Sequence, residues 1–304
     1  LMQIVLDRGQ RSGWFSAPWV RYFTLISVAS AILLVLHELH FSEPIVDFRM
    51  FKYRAFTASV LMIMVMVLGL YAINLLNPLF LQDLLGYTAW RAGLAVLPRG
   101  VGAGIAMLVV GFLSRRGFDT RFLMPVGFVV GAWAAWQMSH WNLQVSTDVI
   151  FWPILLFGLV SLAFPLLSAA ALTEIPKERM GYGSSLYNMM RAIGAAIGIS
   201  LVSNLIARGS QIHQSHLAKD LSLFTAWRFS QRQPLVPGAP HFNLPPALTH
   251  GNKLGLAIVY SIMRKEATLM AYNDLYRLIA FLMLCLIPWF IILRKPATGR
   301  PSAH

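Results

Sequence analysis

Residues 55–78 read AFTASVLMIMVMVLGLYAINLLNP, an apolar run that contains no charged side chain. The hydrocarbon core of a bilayer is about 30 Å thick, so a helix needs about 20 largely apolar residues to cross it. The strands of a membrane β-barrel would instead be segments of about ten residues with alternating polarity. The stretch therefore predicts a membrane-spanning α-helix.

Six further runs share the length and apolar character of this first one. They cover residues 18–37, 91–114, 121–139, 149–173, 180–207 and 272–293. The sequence thus predicts an all-α integral membrane protein with seven transmembrane helices.

The composition agrees with residence in a membrane. The chain has 304 residues, of which 57% are hydrophobic and only 12% charged, whereas soluble domains carry about 25% charged residues. Soluble enzymes and DNA-binding proteins are excluded on this ground. The net charge of +13 predicts basic cytoplasmic loops rather than a nucleic-acid partner. One cysteine, Cys285, allows neither an intrachain disulfide nor a multi-cysteine metal site.

The remaining sequence sets the domain organisation. Residues 1–54 are expected to hold an extracytoplasmic segment, one linking helix and a cytoplasmic connector, and residues 55–304 a six-helix bundle. An insert at about 208–271 is polar at its start and rich in Pro and Gly in its middle. We expect it to form two short helices that bracket a loop near the membrane surface, on the extracytoplasmic side.

Orientation follows from Lys and Arg in the short connectors, which concentrate on the cytoplasmic side. One alternating set of connectors, with the C-terminal tail, holds 11 of these residues, and the opposite set holds two. The C-terminus is therefore predicted to be cytoplasmic in a multi-pass protein of the inner (plasma) membrane. An exported head without a signal peptide favours a preceding span, and hence a piece of a longer chain. Translocation of a free N-terminal tail is the alternative.

Four strings carry a family resemblance. They are LDRGQRSGWFSAP (6–18), EPIVDFRMFKYRAF (43–56), GYTAWRAGLAVLPRGVGAGIAMLVVG (86–111) and IPKERMGYGSSLYNMMRAIGAAIGIS (175–200). Together they resemble the C-terminal half of a major facilitator superfamily (MFS) drug:proton antiporter of the fourteen-span EmrB/QacA type. On that layout, span 18–37 resembles the second linking helix and the next six spans resemble the C-terminal bundle. Residues 111–121 resemble a cytoplasmic signature of the family, but Arg115 occupies its usual acidic position.

The resemblance implies a function and partners. It implies secondary active efflux of small hydrophobic or drug-like compounds by alternating access, driven by the proton gradient without a bound cofactor. The N-terminal half of the same transporter and the lipid bilayer would be partners, and a periplasmic adaptor would dock on the extracytoplasmic side. The alternative is a half-length membrane protein that assists assembly and transports nothing. Neither interpretation is that of an enzyme.

Two arginines are predicted deep within spans, where charge is costly and marks functional candidates. Arg99 lies eight residues after Arg91, and Arg191 lies twelve after Arg179. As substrate-path residues they would bind an acidic or electron-rich group, or pair with a carboxylate of the absent half. The alternative is an arginine hydrogen-bonded to carbonyl groups within this bundle, or, for Arg99, one that reaches a lipid headgroup.

Five uncharged polar residues complete the candidate substrate path. Tyr71, Asn74 and Asn77 follow one another at three-residue spacing and are predicted to share one face of span 55–78, while Tyr187 and Asn188 lie one turn before Arg191. Hydrogen bonding between helices is the alternative role for such side chains.

No acidic residue lies deep within a predicted span, since Asp274 and Glu174 fall near span ends. A proton carrier is therefore expected in the absent half. His213 and His216 have helical spacing, but two histidines without a third ligand do not predict a metal site. No catalytic residue or metal ligand is predicted.

Overall fold

The structure is a computed structural model that describes residues 4–5, 9, 13–40, 47–118, 122–220 and 253–289. The chain divides into two compact units, one of residues 1–204 with 276–304 and one of residues 205–275. The described ranges define nine α-helices of eight or more residues. They are α1 (Pro18–His40), α2 (Arg54–Leu79), α3 (Ala89–Val96), α4 (Pro98–Arg115), α5 (Leu123–Met138), α6 (Thr147–Gly158), α7 (Ala163–Leu172), α8 (Met180–Asp220) and α9 (Lys253–Cys285).

The helices confirm the predicted all-α membrane fold. Within the described residues, five segments are long and apolar enough to cross a bilayer: Pro18–Glu38, Arg54–Leu84, Ala89–Arg115, Thr147–Leu172 and Lys177–Ala218. A sixth, α5, is apolar but has only 16 residues. Helix α9 is not among the five, because Asp274 and Arg277 interrupt its apolar part and its predicted end at 293 lies outside the described residues. The number seven therefore stays a prediction.

Two of the spans contain a break in the helix, and a proline stands directly after the first break. The helix that starts at Ala89 is interrupted at Leu97, and α4 starts again with Pro98, whose missing N–H is no loss at a first helical position. A 3-10 turn, Leu159–Leu162, similarly separates α6 from α7. Pro78 lies in the last turn of α2, and the chain continues as a π-helical turn over Phe80–Leu84.

The insert differs from its prediction. Instead of separate short helices, α8 continues without interruption to Asp220, and α9 already begins at Lys253. No proline occurs between 208 and 220 or between 253 and 271, so nothing in the backbone ends either helix there. Both helices are thus extensions of predicted spans. The Pro- and Gly-rich loop, 221–252, lies outside the described residues, and a position near the membrane surface stays a prediction.

Helix α2 lies at the centre of the first unit. One face of α2 packs on α7. Helix α8 crosses α2 at two glycines. A methyl group on Gly194 would overlap the carbonyl of Met64, and a methyl group on Gly198 would overlap the carbonyl of Leu68. Small residues of this kind let membrane helices approach closely. By contrast, only 6% of the membrane-spanning part of α1 is buried against other described residues.

A second close crossing joins α4 and α6. A Cβ atom on Gly102 would overlap the Leu155 carbonyl, and one on Gly158 would overlap the Arg99 carbonyl. Since α5 also packs on α6, this crossing fixes α4, α5 and α6 as one cluster.

Polar contacts tie two connectors together at one end of the first unit. The Glu174 carboxylate accepts a hydrogen bond from the backbone N–H of Ala55 at 3.2 Å, at the start of α2. Asp47 accepts from the N–H of Arg49 and lies 3.9 Å from an Arg179 nitrogen. A carboxylate at a helix N-terminus satisfies an otherwise unpaired donor and complements the helix dipole.

The second unit is held by polar pairs between the end of α8 and the start of α9. His213 Nε2 lies 2.7 Å from an oxygen of Asp274, so this histidine has an acidic partner. Ser210 and Thr268 hydroxyls lie 3.0 Å apart, near the close approach of Gly209 to Ala271.

Candidate functional site

A pocket of about 270 Å³ opens between α4, α7 and α8. All the lining residues belong to the first unit, and α8 supplies most of the polar ones. The lining residues are Met107, Phe164, Pro165, Ser168, Leu172, Ser184, Tyr187, Asn188 and Arg191. The pocket therefore combines an apolar wall with a row of polar side chains.

The helical repeat explains why α8 presents these polar residues together. Ser184, Asn188 and Arg191 follow at spacings of four and three residues, which places them on one face of a helix. Asn188 donates a 3.0 Å hydrogen bond from Nδ2 to the carbonyl of Ser184, so one of its N–H groups and its amide oxygen remain for other partners. The face thus carries hydroxyl, amide and guanidinium groups within two turns.

Tyr187 and Arg191 also have polar groups without a partner among the described residues. Tyr187 is only 7% exposed, and its hydroxyl has no hydrogen-bond partner among the described residues. Arg191 is exposed and forms no ion pair with a described carboxylate. A buried hydroxyl without a partner is uncommon in folded proteins, so both groups are available to a bound molecule.

The opposite wall is apolar. Phe164, Pro165 and Leu172 come from α7, and Met107 comes from α4. Ser168 lies in α7 one turn after Phe164 and is the one polar lining residue of that helix. An apolar wall with a few fixed polar groups suits a small, largely hydrophobic molecule.

Arg99, the other deep arginine, does not line this pocket. It is the second residue of α4, just after the Leu97 break, and it is half-buried. Its Nη1 atom is buried without a hydrogen-bond partner among the described residues. The structure therefore separates the two arginines that the sequence treats alike.

The three polar residues of α2 are also separated. Tyr71 is 43% exposed and Asn74 is half-buried, whereas Asn77 is 1% exposed and accepts a 2.7 Å hydrogen bond from the Tyr276 hydroxyl. A three-residue step falls about 60° short of a full helical turn. Two such steps move the side chain from the surface to the interior, so the three do not share one face.

Three of the seven predicted site residues thus meet in the pocket, and others there were not predicted. Ser168, Ser184 and Met107 are the additions that matter most. For Ser184 a signal was present, because it lies four residues before Asn188. Ser168 and Met107 come from other helices, and only tertiary packing brings them in.

The part of the chain that the structure describes contains no recognisable metal-binding site. No group of three His, Cys, Asp or Glu side chains lies close enough there to hold an ion. The pocket is suited to binding a small, largely hydrophobic molecule.

Comparison with known proteins gives one family and several relatives. Residues 11–199 match the model of the Major Facilitator Superfamily. The chain is 23% identical over 285 residues to "Colistin resistance protein EmrB" of Acinetobacter baumannii, an alignment that covers 93% of this chain and 54% of that protein. It is 30% identical over 225 residues to "Multidrug export protein EmrB" of Escherichia coli K12, covering 73% and 44%.

A third relative aligns over the full chain. "Fatty acid resistance protein FarB" of Neisseria gonorrhoeae is 25% identical over 304 residues, which covers 100% of this chain and 58% of that protein. The chain therefore spans about half the length of the curated relatives it matches.

Proposed function

Because the chain belongs to the Major Facilitator Superfamily, we propose that it supplies the C-terminal part of a secondary transporter that exports small, largely hydrophobic compounds. Export would proceed by alternating access, in which one bundle moves against the other around a site near the middle of the membrane. The pocket between α4, α7 and α8 is its candidate binding site.

The position of Arg191 carries this proposal. The residue follows the start of α8 by eleven positions, which is about 16 Å along the helix axis. It is exposed there, and an exposed arginine at the bilayer centre costs roughly 2.5–3.5 kcal/mol even on the most lenient scale. This face of α8 is therefore expected to look onto water or protein rather than lipid, as a substrate path requires.

The relatives indicate the substrate class. Two of them are named for multidrug export and for colistin resistance, and a third for fatty acid resistance. A pocket with an apolar wall of Phe164, Pro165 and Leu172 beside polar α8 residues fits compounds that are mostly hydrophobic and carry a polar group.

We assign the energy source to inward proton flow, with no cofactor. A carrier of protons within the membrane needs a carboxylate or histidine there. Since the chain spans only about half of its relatives' length, we place that group in an N-terminal half that packs against this one. Such a half would also supply a partner for Nη1 of Arg99, which has none among the described residues. A periplasmic adaptor would contact the extracytoplasmic side.

The proposal is tested by efflux from cells. The complete gene is expressed in a host that lacks its own multidrug pumps, and accumulation of the hydrophobic dye N-phenyl-1-naphthylamine is followed by fluorescence. We expect lower accumulation than in cells with an empty vector, and recovery of accumulation when a protonophore collapses the proton gradient.

Two controls sharpen the result. Arg191→Ala should remove efflux while the protein still inserts into the membrane, whereas Arg208→Ala, an exposed arginine of α8 outside the pocket, should leave efflux unchanged. Accumulation equal to the empty vector for this dye and for a panel of other hydrophobic compounds would reject transport and favour an assembly role.

A further inference from the structure

The polar chemistry of the pocket is one-sided. Among the residues that the structure describes, its lining contains one cation and three hydroxyl groups and neither Asp nor Glu. A cationic ligand would find no opposite charge there. A ligand with a negative or strongly polarised oxygen would find several donors.

Tyr187 supplies the first of these donors. The residue is more than nine-tenths buried, it lines the pocket, and its hydroxyl has no partner among the described residues. Leaving a buried hydroxyl unpaired destabilises a protein, which is why nearly all such groups are hydrogen-bonded. An acceptor on a bound molecule would satisfy it.

Arg191 supplies the second donor one helical turn later. Residues four apart lie on the same side of a helix, and both side chains line the volume bounded by α7 and Met107. Arginine presents several N–H groups in a fixed plane and binds carboxylates with two parallel hydrogen bonds. The two side chains can therefore hold the same oxygen-bearing group.

We propose that Tyr187 and Arg191 form the specificity-determining pair of this pocket, which selects hydrophobic compounds bearing an anionic or strongly polarised oxygen and disfavours organic cations. The oxygen would lie between the hydroxyl and the guanidinium, and the apolar body against Phe164, Pro165 and Leu172. This inference rests on the proposed function, because it takes the pocket to be part of the transport path.

The test uses three ligands with the same aromatic body. They are 2-naphthoic acid, its methyl ester and 2-naphthylmethylamine, which carry an anion, a neutral acceptor and a cation. Half-saturation constants for export are measured with the complete transporter in proteoliposomes. We expect the acid to be preferred over the amine by about tenfold, since charge-assisted hydrogen bonds exceed neutral ones, with the ester between them.

Variants separate the two donors. Arg191→Gln should remove the preference for the acid over the ester, Arg191→Lys should retain most of it, and Arg191→Glu should shift the preference toward the amine. Tyr187→Phe should weaken acid and ester alike, by about fivefold for one lost hydrogen bond. Tyr182→Phe and Arg208→Gln, exposed positions of α8 outside the lining, serve as matched controls and should change nothing.

Each outcome bears on a separate claim. Equal half-saturation constants for acid, ester and amine in the wild type would overturn the selectivity and leave export intact. So would an Arg191→Glu variant that folds and keeps the wild-type order of ligands. No export of these three ligands or of the dye used above would overturn the proposed function itself. Membrane yield and melting temperature are recorded for every variant, so that a folding defect is recognised.

Discussion

The hydroxyl of Tyr276 on α9 donates a 2.7 Å hydrogen bond to Oδ1 of Asn77 on α2, in the interior of the first unit. Both residues are almost completely buried, and Tyr276 also packs edge-on against Phe80 and Trp141. The bond thus joins two helices whose residues are separated by 199 positions in the chain.

Removing this bond is expected to loosen the contact of α2 with α9. Tyr276→Phe leaves the buried amide oxygen of Asn77 without its donor, and an unsatisfied buried group costs roughly 1–3 kcal/mol. The melting temperature of the purified protein in detergent should fall. Tyr71→Phe, at an exposed position of the same unit, should leave it unchanged.

A double-mutant cycle isolates the interaction. Asn77→Leu combined with Tyr276→Phe should cost less than the two single changes added together, because no group is then left unpaired. Coupling between polar side chains in membrane proteins averages about 0.6 kcal/mol. Strict additivity would show that the bond contributes nothing to stability.

The crossing of α8 on α2 predicts a strong effect of one methyl group. Gly194→Ala would push a Cβ atom into the Met64 carbonyl. Because a backbone carbonyl cannot move aside as the end of a side chain can, this overpacking should lower the free energy of unfolding by roughly 1–3 kcal/mol. Gly181→Ala on the same helix meets open space and should cause no loss. Thermal unfolding of the two variants makes the comparison, and equal melting temperatures would contradict the crossing.

Glu174 is expected to stabilise the start of α2. Its carboxylate accepts the Ala55 N–H, so Glu174→Ala should cost about 1 kcal/mol, the usual value of a lost helix cap. Glu174→Gln keeps an acceptor oxygen and should cost less. Glu178→Ala, an exposed neighbour, is the control, and an equal loss of melting temperature at both glutamates would argue against a capping role.

The exposure of the pocket face can be measured by cysteine labelling. The single native cysteine, Cys285, is exposed, so Cys285→Ser provides a clean background. Asn188→Cys should then react with a small polar thiol reagent, whereas Leu186→Cys, with 0% exposure, should not. Ligand should slow the labelling of residue 188, and equal labelling of both positions would contradict the assignment of this face.

The orientation inferred from the basic connectors makes a separate labelling prediction. In the same background, Gln144→Cys should react with a membrane-impermeant reagent in intact cells, and Arg116→Cys only after the membrane is opened. Both residues are exposed. The reverse pattern would place the C-terminus outside.

The sequence predicts most of the helices because a bilayer demands long apolar runs, and such runs are visible without tertiary information. Prediction from the sequence fails in segments that extend beyond the apolar runs. The polar continuation of α8 to Asp220 carries no apolar stretch to mark it, and only the lack of a proline hints that the helix goes on.

The sequence likewise predicts only some of the residues of the candidate site. Tyr187, Asn188 and Arg191 belong to one helix, so spacing alone groups them. Met107 and Ser168 reach the pocket from other helices, and packing decides their place. Asn77 was grouped with Tyr71 by a three-residue spacing that drifts around the helix, and its buried partner Tyr276 could not be foreseen from the pattern.

The contact between α2 and α8 has a consequence for movement. At Gly194 and Gly198 the backbone of α8 lies directly on carbonyl groups of α2, so at these two positions α8 has no side chain that must change rotamer before the helices shift. Side chains that interdigitate hold packed helices in discrete positions. A glycine has no side chain to interdigitate. We expect a rotation of α8 at these two glycines to turn the face that carries Tyr187 and Arg191 and so to change the access to the pocket.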